Sequence, residues 1–318
     1  MKVTEHITNG NGKTQFSLEI IPPLKGEHLQ SIFDNIDPLM EFKPPFIDVT
    51  YHREEYVYKE MENGLLKKKI VRKRPGTVGI CAAIQNKYNV DAIPHILCGG
   101  FTKEDTENFL IDMDFLGIDN VMALRGDAVK NETYFEPEKE GNSYASELVS
   151  QIQYLNKGIY LDEGLQNTSA TDFCIGVAAY PEKHMEAPSL DSDIHFLKKK
   201  VKNGATYIVT QMFFDNQKYF SFVDRCRKEG ITVPIIPGLK PLATKKQLNL
   251  IPHRFKVDLP DDLVKEVLKF SDSKKVREVG VEWCVQQSKE LINKGVPFLH
   301  YYSMGKSKTI RDVAKHLF

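Results

Sequence analysis

An acidic residue, Glu19, lies inside the apolar segment FSLEII, which spans residues 16–21. Burying a carboxylate without a partner is costly, so an acid at such a position is expected to have a function. Apolar surroundings raise the pKa of a carboxyl group, and a raised pKa suits a general acid that works near neutral pH. The alternative is a surface glutamate on an edge strand. The pattern favours the general acid.

Polar residues also stand at or near the ends of other short apolar segments. They include Thr50 and Tyr51, His95, the tripeptide 125–127 (Arg-Gly-Asp), residues 180–184 (YPEKH) and Gln211. Arginine can hold a phosphate through two parallel hydrogen bonds, and glycine lets a ligand approach the backbone closely. If these segment ends meet, they form a pocket that holds an arginine, an aspartate, a histidine, a glutamine and aromatic rings.

Strands and helices alternate along the chain in a way that would bring those ends together. The apolar segments predict strands at residues 16–21, 46–50, 93–98, 120–124, 173–179, 206–212, 233–236 and 298–301. Several are continuously apolar, which is typical of parallel strands buried on both faces. Amphipathic segments predict helices at residues 102–115, 146–156, 191–202, 219–228 and 276–293, and from about residue 309 onward.

About eight strand-then-helix units predict an α/β fold, a (βα)₈ TIM barrel, with active-site residues at the carboxyl ends of its strands. We expect residues 1–318 to form this single domain, with residues 1–14 as a flexible or helical extension. A doubly wound sheet is the alternative. It is disfavoured because its usual phosphate-binding pattern, G-x-G-x-x-G, is absent.

Composition limits the partners and the compartment. Lys plus Arg and Asp plus Glu each total 43, so the net charge is zero, which argues against nucleic acid as a partner. The sequence has no apolar run of about 18 residues, which argues against a membrane span. No signal peptide is evident, and the five cysteines are widely spaced among apolar neighbours. These features predict free buried thiols, no metal site and a cytoplasmic protein.

Two polar stretches interrupt the alternation. Residues 125–144 are predicted to form a loop on the active-site face of the barrel. Residues 53–76 contain the basic run KKKIVRKRP, whose part at residues 67–74 has no assigned role. We interpret residues 53–76 as a solvated helix face and loop, because the chain as a whole carries no excess positive charge.

Taken in order, the segment ends closely resemble those of the methylenetetrahydrofolate reductase family. The matching segments are FSLEIIPP (16–23), FIDVTY (46–51), PHILC (94–98), NVMALRGD (120–127), YASELV (144–149), VAAYPEKHMEA (177–187), TYIVTQMFFD (206–215), VPIIPGLKP (233–241) and GVPFLHYYSM (295–304). Each is weak alone, but the ordered set spans nearly the whole chain and is specific. The chain is similar to the short bacterial type, which has no C-terminal regulatory domain.

The resemblance implies an oxidoreductase that holds FAD at the carboxyl ends of the barrel strands. In this family NAD(P)H reduces the flavin and leaves, and 5,10-methylenetetrahydrofolate then binds in the same place and is reduced to 5-methyltetrahydrofolate. This ping-pong reaction feeds methionine synthesis. The resemblance also implies a homo-oligomer. It leaves the choice between NADH and NADPH open.

The resemblance also implies roles for individual residues. Glu19 matches the general acid that protonates the folate, and Asp127 matches the aspartate near the flavin and the pterin. The matches to FAD contacts are Thr50, Tyr51, His95, Arg125, Gly126, Asp127, Tyr144, Ala145, Tyr180, His184, Ala187, Asp193, Lys199 and Lys200. The matches to substrate contacts are Gln211, Gln247 and Lys306.

The chain departs from the family pattern at His52-Arg53, where small residues are usual, and at Phe196 and Lys306, where a polar residue and an arginine are common. Two other functions stay open: another flavin- or pterin-binding TIM-barrel enzyme, or a non-catalytic subunit that binds folate or flavin. Glu19 argues against the second, because binding alone does not require a buried acid.

Overall fold

Parallel strands surrounded by helices form the core of the structure, a computed structural model that describes residues 1–129 and 132–318. The elements in chain order are α1 (Val3–Asn9), β1 (Gln15–Ile20), α2 (Gln30–Ile36), a 3-10 helix (Asp37–Phe42), β2 (Phe46–Val49), β3 (Glu55–Glu60), β4 (Leu66–Val71), α3 (Thr77–Tyr88), β5 (Asp91–Leu97), α4 (Lys103–Phe115), β6 (Asn120–Leu124), α5 (Ala145–Leu155), β7 (Cys174–Ala179), α6 (Leu190–Lys202), β8 (Tyr207–Thr210), α7 (Asn216–Lys228), β9 (Ile235–Ile236), β10 (Gly238–Leu239), α8 (Gln247–Phe255), α9 (Asp261–Leu268), α10 (Ser273–Asn293), β11 (Phe298–Tyr302) and α11 (Lys308–Ala314).

The parallel sheet closes on itself through a strand that is broken in two. Its order is β10-β11-β1-β2-β5-β6-β7-β8-β9. The short strands β9 and β10 flank Pro237; β9 pairs with β8, and β10 pairs with β11. Proline has no N–H to donate, but its carbonyl accepts a hydrogen bond from the His300 N–H at 3.1 Å. The two halves thus act as one barrel strand, and the predicted (βα)₈ barrel is confirmed.

Capping and glycine residues define the helix ends that the sequence predicted. Thr102 begins α4: its hydroxyl accepts a hydrogen bond from the Asp105 N–H, and the Asp105 carboxylate accepts one from the Thr102 N–H. Gly117 follows the same helix with a φ of +66°, a left-handed conformation that lets the chain turn sharply into β6. Local chemistry therefore determines where this βα unit begins and ends.

The prediction for residues 53–76 is wrong. Instead of a helix face and loop, β3 and β4 form an antiparallel hairpin, in which Tyr56 pairs with Ile70 and Glu60 with Leu66. The turn contains Asn63-Gly64, and Gly64 has a φ of +77°. An Asn-Gly pair is a signal for a hairpin turn. The high density of lysine and glutamate obscured it.

The first helix, α1, covers the amino-terminal end of the barrel. Val3 is fully buried, and its N–H donates to the side-chain oxygen of Asn120 at the start of β6. His6 Nε2 lies 2.6 Å from a carboxylate oxygen of Asp91 at the start of β5. Residues 130 and 131, inside the predicted loop 125–144, lie outside the described part of the chain.

All five cysteines are free and buried, as predicted. In the ranges 1–129 and 132–318, no helix combines the length and the apolar character that crossing a bilayer requires.

Two helical glycines provide a matched test of packing. An alanine Cβ at Gly280, in α10, would lie 1.9 Å from the backbone oxygen of Leu242, whereas one at Gly79, in α3, would meet no atom within 4 Å. We expect Gly280→Ala to destabilise the protein by about 1–3 kcal/mol or more, because the backbone at Leu242 or in α10 must move. We expect Gly79→Ala to stabilise it by up to about 1 kcal/mol through helix propensity. Thermal unfolding measures both; equal melting temperatures for the two variants would contradict the packing.

Candidate functional site

A cavity of about 910 Å³ opens at the carboxyl ends of the barrel strands. This volume is within the usual range for sites that bind cofactors. Most of the residues predicted from the sequence line it: Glu19, Thr50, Tyr51, His95, Arg125, Gly126, Asp127, Tyr144, Ala145, Tyr180, His184, Ala187, Asp193, Lys200 and Gln211. They come from strand ends and from the loops and helices that follow them, which parallel pairing brings to one face.

Three of the predicted residues do not line the cavity. Lys199 is exposed on α6. Successive residues of an α-helix are rotated by about 100° around its axis, so Lys199 and its neighbour Lys200 point in different directions. Gln247 is at the start of α8, where its side-chain oxygen accepts hydrogen bonds from the N–H groups of Ala243 and Thr244 at 2.7 and 3.0 Å. Lys306 is exposed in the turn after β11.

Glu19 points into the barrel, where its surroundings are polar. The Thr50 hydroxyl donates to its Oε1 at 2.7 Å, and His95 Nε2 lies 3.6 Å from its Oε2. The apolar setting expected from the sequence is therefore wrong. Successive side chains of a strand point to opposite faces, so the neighbours Leu18 and Ile20 pack outward in the core beneath the helices.

A layer of buried polar residues lies in the barrel around Glu19. Asp48, on β2, is 1% exposed and pairs in register with Glu19. Its Oδ1 lies 3.5 Å from His95 Nε2, and its Oδ2 lies 4.0 Å from His300 Nδ1. The Ser17 hydroxyl is within hydrogen-bond distance of the same His300 nitrogen, at 3.0 Å. Two acids and two imidazoles thus occupy one layer at the base of the cavity.

Sequence reasoning did not assign functions to Asp48 and His300. Each interrupts an apolar strand, FIDV or FLHYY, just as Glu19 interrupts its own. A polar residue inside an apolar strand was therefore a usable indication at all three positions. Only the strand register shows that Glu19, Asp48 and His300 lie close together.

The pKa values of the two histidines shift in opposite directions. Burial acts to lower the pKa of His95, but the carboxylates of Glu19 and Asp48 outweigh it, so the net pKa is raised. For His300, burial dominates and lowers the pKa. The arrangement therefore favours a positive charge on His95, between the two acids, and a neutral His300.

Arg125 at the cavity wall is already paired. Its two terminal nitrogens donate to the two carboxylate oxygens of Glu186 at 2.6 and 2.8 Å, a bidentate geometry. The Phe135 ring lies against the guanidinium, 4.9 Å from its central carbon. Arginine is the usual bidentate phosphate ligand, so a phosphate that binds Arg125 in this way must displace or share with Glu186.

The loop after β7 is built around Asp193 at the start of α6. The Asp193 carboxylate accepts a hydrogen bond from the His184 N–H at 2.8 Å, and the ring centroids of His184 and Tyr180 are 4.7 Å apart. Lys200, near the end of α6, donates to the Ala178 carbonyl at 2.6 Å. Burial lowers the pKa of Lys200 to about 8. This wall therefore combines aromatic surface with a buried amine.

The hairpin of β3 and β4 borders the cavity at Glu55, the first residue of β3. Tyr51 lines the cavity, its ring packs 5.1 Å from that of Phe101, and Arg72, directly after β4, donates to its hydroxyl at 3.1 Å. Burial lowers the pKa of His52 to about 4, so this departure from the family pattern adds a neutral imidazole. Arg53 next to it pairs with Glu132.

Comparison with known proteins matches almost the whole chain to one family. The family model for methylenetetrahydrofolate reductase matches residues 2–317. Methylenetetrahydrofolate reductase 1 of Schizosaccharomyces pombe is 32% identical over all of this chain, which covers 48% of that protein. The 5,10-methylenetetrahydrofolate reductase of Escherichia coli is 30% identical over 96% of this chain and 91% of its own length. The chain thus spans about half the length of the eukaryotic relatives.

Among solved structures, an uncharacterised Clostridium thermocellum protein that binds two copies of 5-methyl-5,6,7,8-tetrahydrofolic acid has a TM-score of 0.58. It is 13% identical and covers 99% of this chain and 97% of its own, so the similarity shows the fold. The family match over nearly every residue carries more weight. On that match, the chain belongs to the methylenetetrahydrofolate reductase family.

Proposed function

We propose that this protein is an FAD-dependent 5,10-methylenetetrahydrofolate reductase that takes reducing equivalents from NAD(P)H. The observation that carries the proposal is the position of Glu19. Its carboxyl group lies at the base of a large cavity, held by the Thr50 hydroxyl, while Asp127 and Gln211 line the same cavity. A carboxyl group that reaches a cavity from a rigid strand can deliver a proton to a bound substrate.

The cavity also fits FAD in size and chemistry. Arg125 and Lys200 supply positive charge for a pyrophosphate, and Tyr180, His184 and Tyr144 supply aromatic surface for flat rings. The other positions that match FAD contacts line the cavity as well, except Lys199. FAD, when bound, supplies the hydride chemistry of the reaction.

The chain's own residues would supply protonation and orientation. Glu19 protonates the nitrogen of the folate that must leave its five-membered ring, and Thr50 fixes the carboxyl group through its hydrogen bond. The Asp127 carboxylate favours the cation that this protonation creates on the substrate. Gln211 is oriented by a hydrogen bond from the Met212 N–H to its side-chain oxygen, at 2.9 Å. Its amide N–H groups are left to donate to a bound ring.

Anaerobic spectroscopy tests the proposed function directly. Purified protein loaded with FAD should lose its flavin absorbance on addition of NADH or NADPH, and 5,10-methylenetetrahydrofolate should restore it with formation of 5-methyltetrahydrofolate. A protein that binds no flavin, or one whose reduced flavin is indifferent to the folate, would show that the proposal is wrong.

The substitution Glu19→Gln separates the two half-reactions. Glutamine keeps the shape of the side chain but carries no acidic proton. We expect reduction by NADH to stay within a few-fold of wild type and reoxidation by methylenetetrahydrofolate to slow by about 10²–10⁴-fold, the usual contribution of a general acid. Stopped-flow absorbance measures both steps on one sample. Reoxidation at the wild-type rate would refute the assignment of Glu19.

The substitution Glu186→Gln tests whether Arg125 serves the cofactor. Losing the carboxylate frees the guanidinium from its bidentate partner. We therefore expect FAD to bind more tightly, by up to about tenfold, or about 1.4 kcal/mol. Quenching of flavin fluorescence on titration gives the dissociation constant. Glu41→Gln is the control, since Glu41 pairs with Arg311 away from the cavity. Weaker FAD binding in Glu186→Gln would contradict this role.

A further inference from the structure

The imidazole of His95 lies between two carboxylates that belong to neighbouring strands. Its Nε2 is 3.6 Å from Glu19 Oε2 and 3.5 Å from Asp48 Oδ1. No hydrogen bond to this nitrogen is formed by any described residue, and the atom is buried. One N–H group therefore faces two acceptors, and a small rotation of the ring or of either acid would bring it within hydrogen-bond distance of one of them.

Asp48 has no role in the reaction as proposed above, yet it is the more deeply buried of the two acids. Both of its carboxylate oxygens lack a hydrogen-bond donor within residues 1–129 and 132–318. A buried carboxylate without a donor is costly, and such groups are retained when a neighbouring charge compensates them. His95 and His300 are the basic groups within 4.0 Å of it.

Other titratable groups face this layer from the elements around it. The groups that interact electrostatically with Glu19, Asp48 or His95 are His52, Cys81 on α3, Tyr207 on β8, Lys240 after β10, and His300 and Tyr302 on β11. Burial disfavours the charged form of each of them. Of the imidazoles in and around this layer, His95 is the one whose pKa is raised, so it is the one on which a proton is favoured.

We propose that Asp48 and His95 form a proton store that reloads Glu19. The inference rests on the proposed function, since it concerns the proton that Glu19 gives to the folate. When the folate binds, the Nε2–H of His95 passes its proton to the Oε2 of the Glu19 carboxylate, and Glu19 then gives a proton to the substrate nitrogen. The N–H bond of the imidazolium breaks and an O–H bond of the carboxyl group forms. No electrons are exchanged, and His95 is left neutral beside the Asp48 carboxylate.

Asp48 is in this view a positioning residue, which acts through His95 and does not touch the substrate. Together with the charge of Glu19, its negative charge favours the protonated form of His95 while no substrate is bound. The two acids thus have different roles. Glu19 on β1 reaches the cavity, and Asp48 on β2 stabilises the proton on His95.

The test is Asp48→Asn in the holoenzyme, with two readouts. In wild type, the nitrogen NMR signal of His95, assigned by its loss in His95→Gln, should titrate above the ordinary imidazole range. In Asp48→Asn, that apparent pKa should fall by about one to three units, the effect expected for removing one adjacent carboxylate. The alkaline limb of flavin reoxidation by methylenetetrahydrofolate should move to lower pH by the same amount. Flavin reduction by NADH should show no such shift.

Tyr207→Phe is the matched control. The Tyr207 hydroxyl is buried, finds no hydrogen-bond partner in the described part of the chain and interacts electrostatically with Asp48, but it bears no charge. Its removal should leave both pH profiles at wild-type values. An unshifted alkaline limb in folded Asp48→Asn would overturn the proposal. If that variant fails to fold, the wild-type titration decides, since an ordinary His95 pKa also overturns it. Failure of the folate to reoxidise wild-type flavin at any pH would instead reject the proposed function.

Discussion

Two carboxylates in register on adjacent strands set the main constraint on this site. Glu19 and Asp48 are paired across β1 and β2, and two like charges at facing positions of adjacent strands repel each other. His95 resolves this repulsion from the next strand by placing one imidazole nitrogen between the two acids. The polar layer is therefore a unit: removing the imidazole would leave two facing acids without a counter-charge in a low-dielectric interior.

The barrel makes such a unit possible because it fixes its strands on both sides. Each inward-facing side chain has a position set by two neighbours in the sheet, so a site built on strands is more precise than one built on loops. Above the layer, the cavity walls come from loops after β2, β6 and β7, where Arg125 and Asp193 already make hydrogen bonds. The structure thus combines a rigid base, suited to proton transfer, with walls that can exchange partners when a ligand binds.

The sequence predicts more of the barrel than of the site. Continuous apolar runs identify the strands, and caps such as Thr102 identify helix ends, because these are local properties. Glu19 is recognisable as an acid in an apolar run, but its polar surroundings follow from strand register, which is a property of the whole sheet. Lys199 and Lys200 are adjacent and chemically identical. Which of them faces the cavity depends on how α6 is rotated about its axis against the barrel, and the sequence does not give that rotation. The hairpin of β3 and β4 was harder to predict, because its strands are charged and mostly exposed on both faces and only the Asn-Gly turn indicates it.

The closure of the barrel joins segments that are far apart in the chain. Gln15 pairs with Phe298, and the Ser303 N–H donates to the Glu19 carbonyl. During synthesis, the seam between β1 and β11 cannot form until residues 298–302 have emerged, and contacts of such long sequence separation form slowly. Until then β1 has an unpaired edge, and Glu19 lacks the neighbours that β11 supplies. The polar layer around Glu19 therefore matures later than the parts of the barrel that pair locally, and a nascent chain cannot acquire it piece by piece.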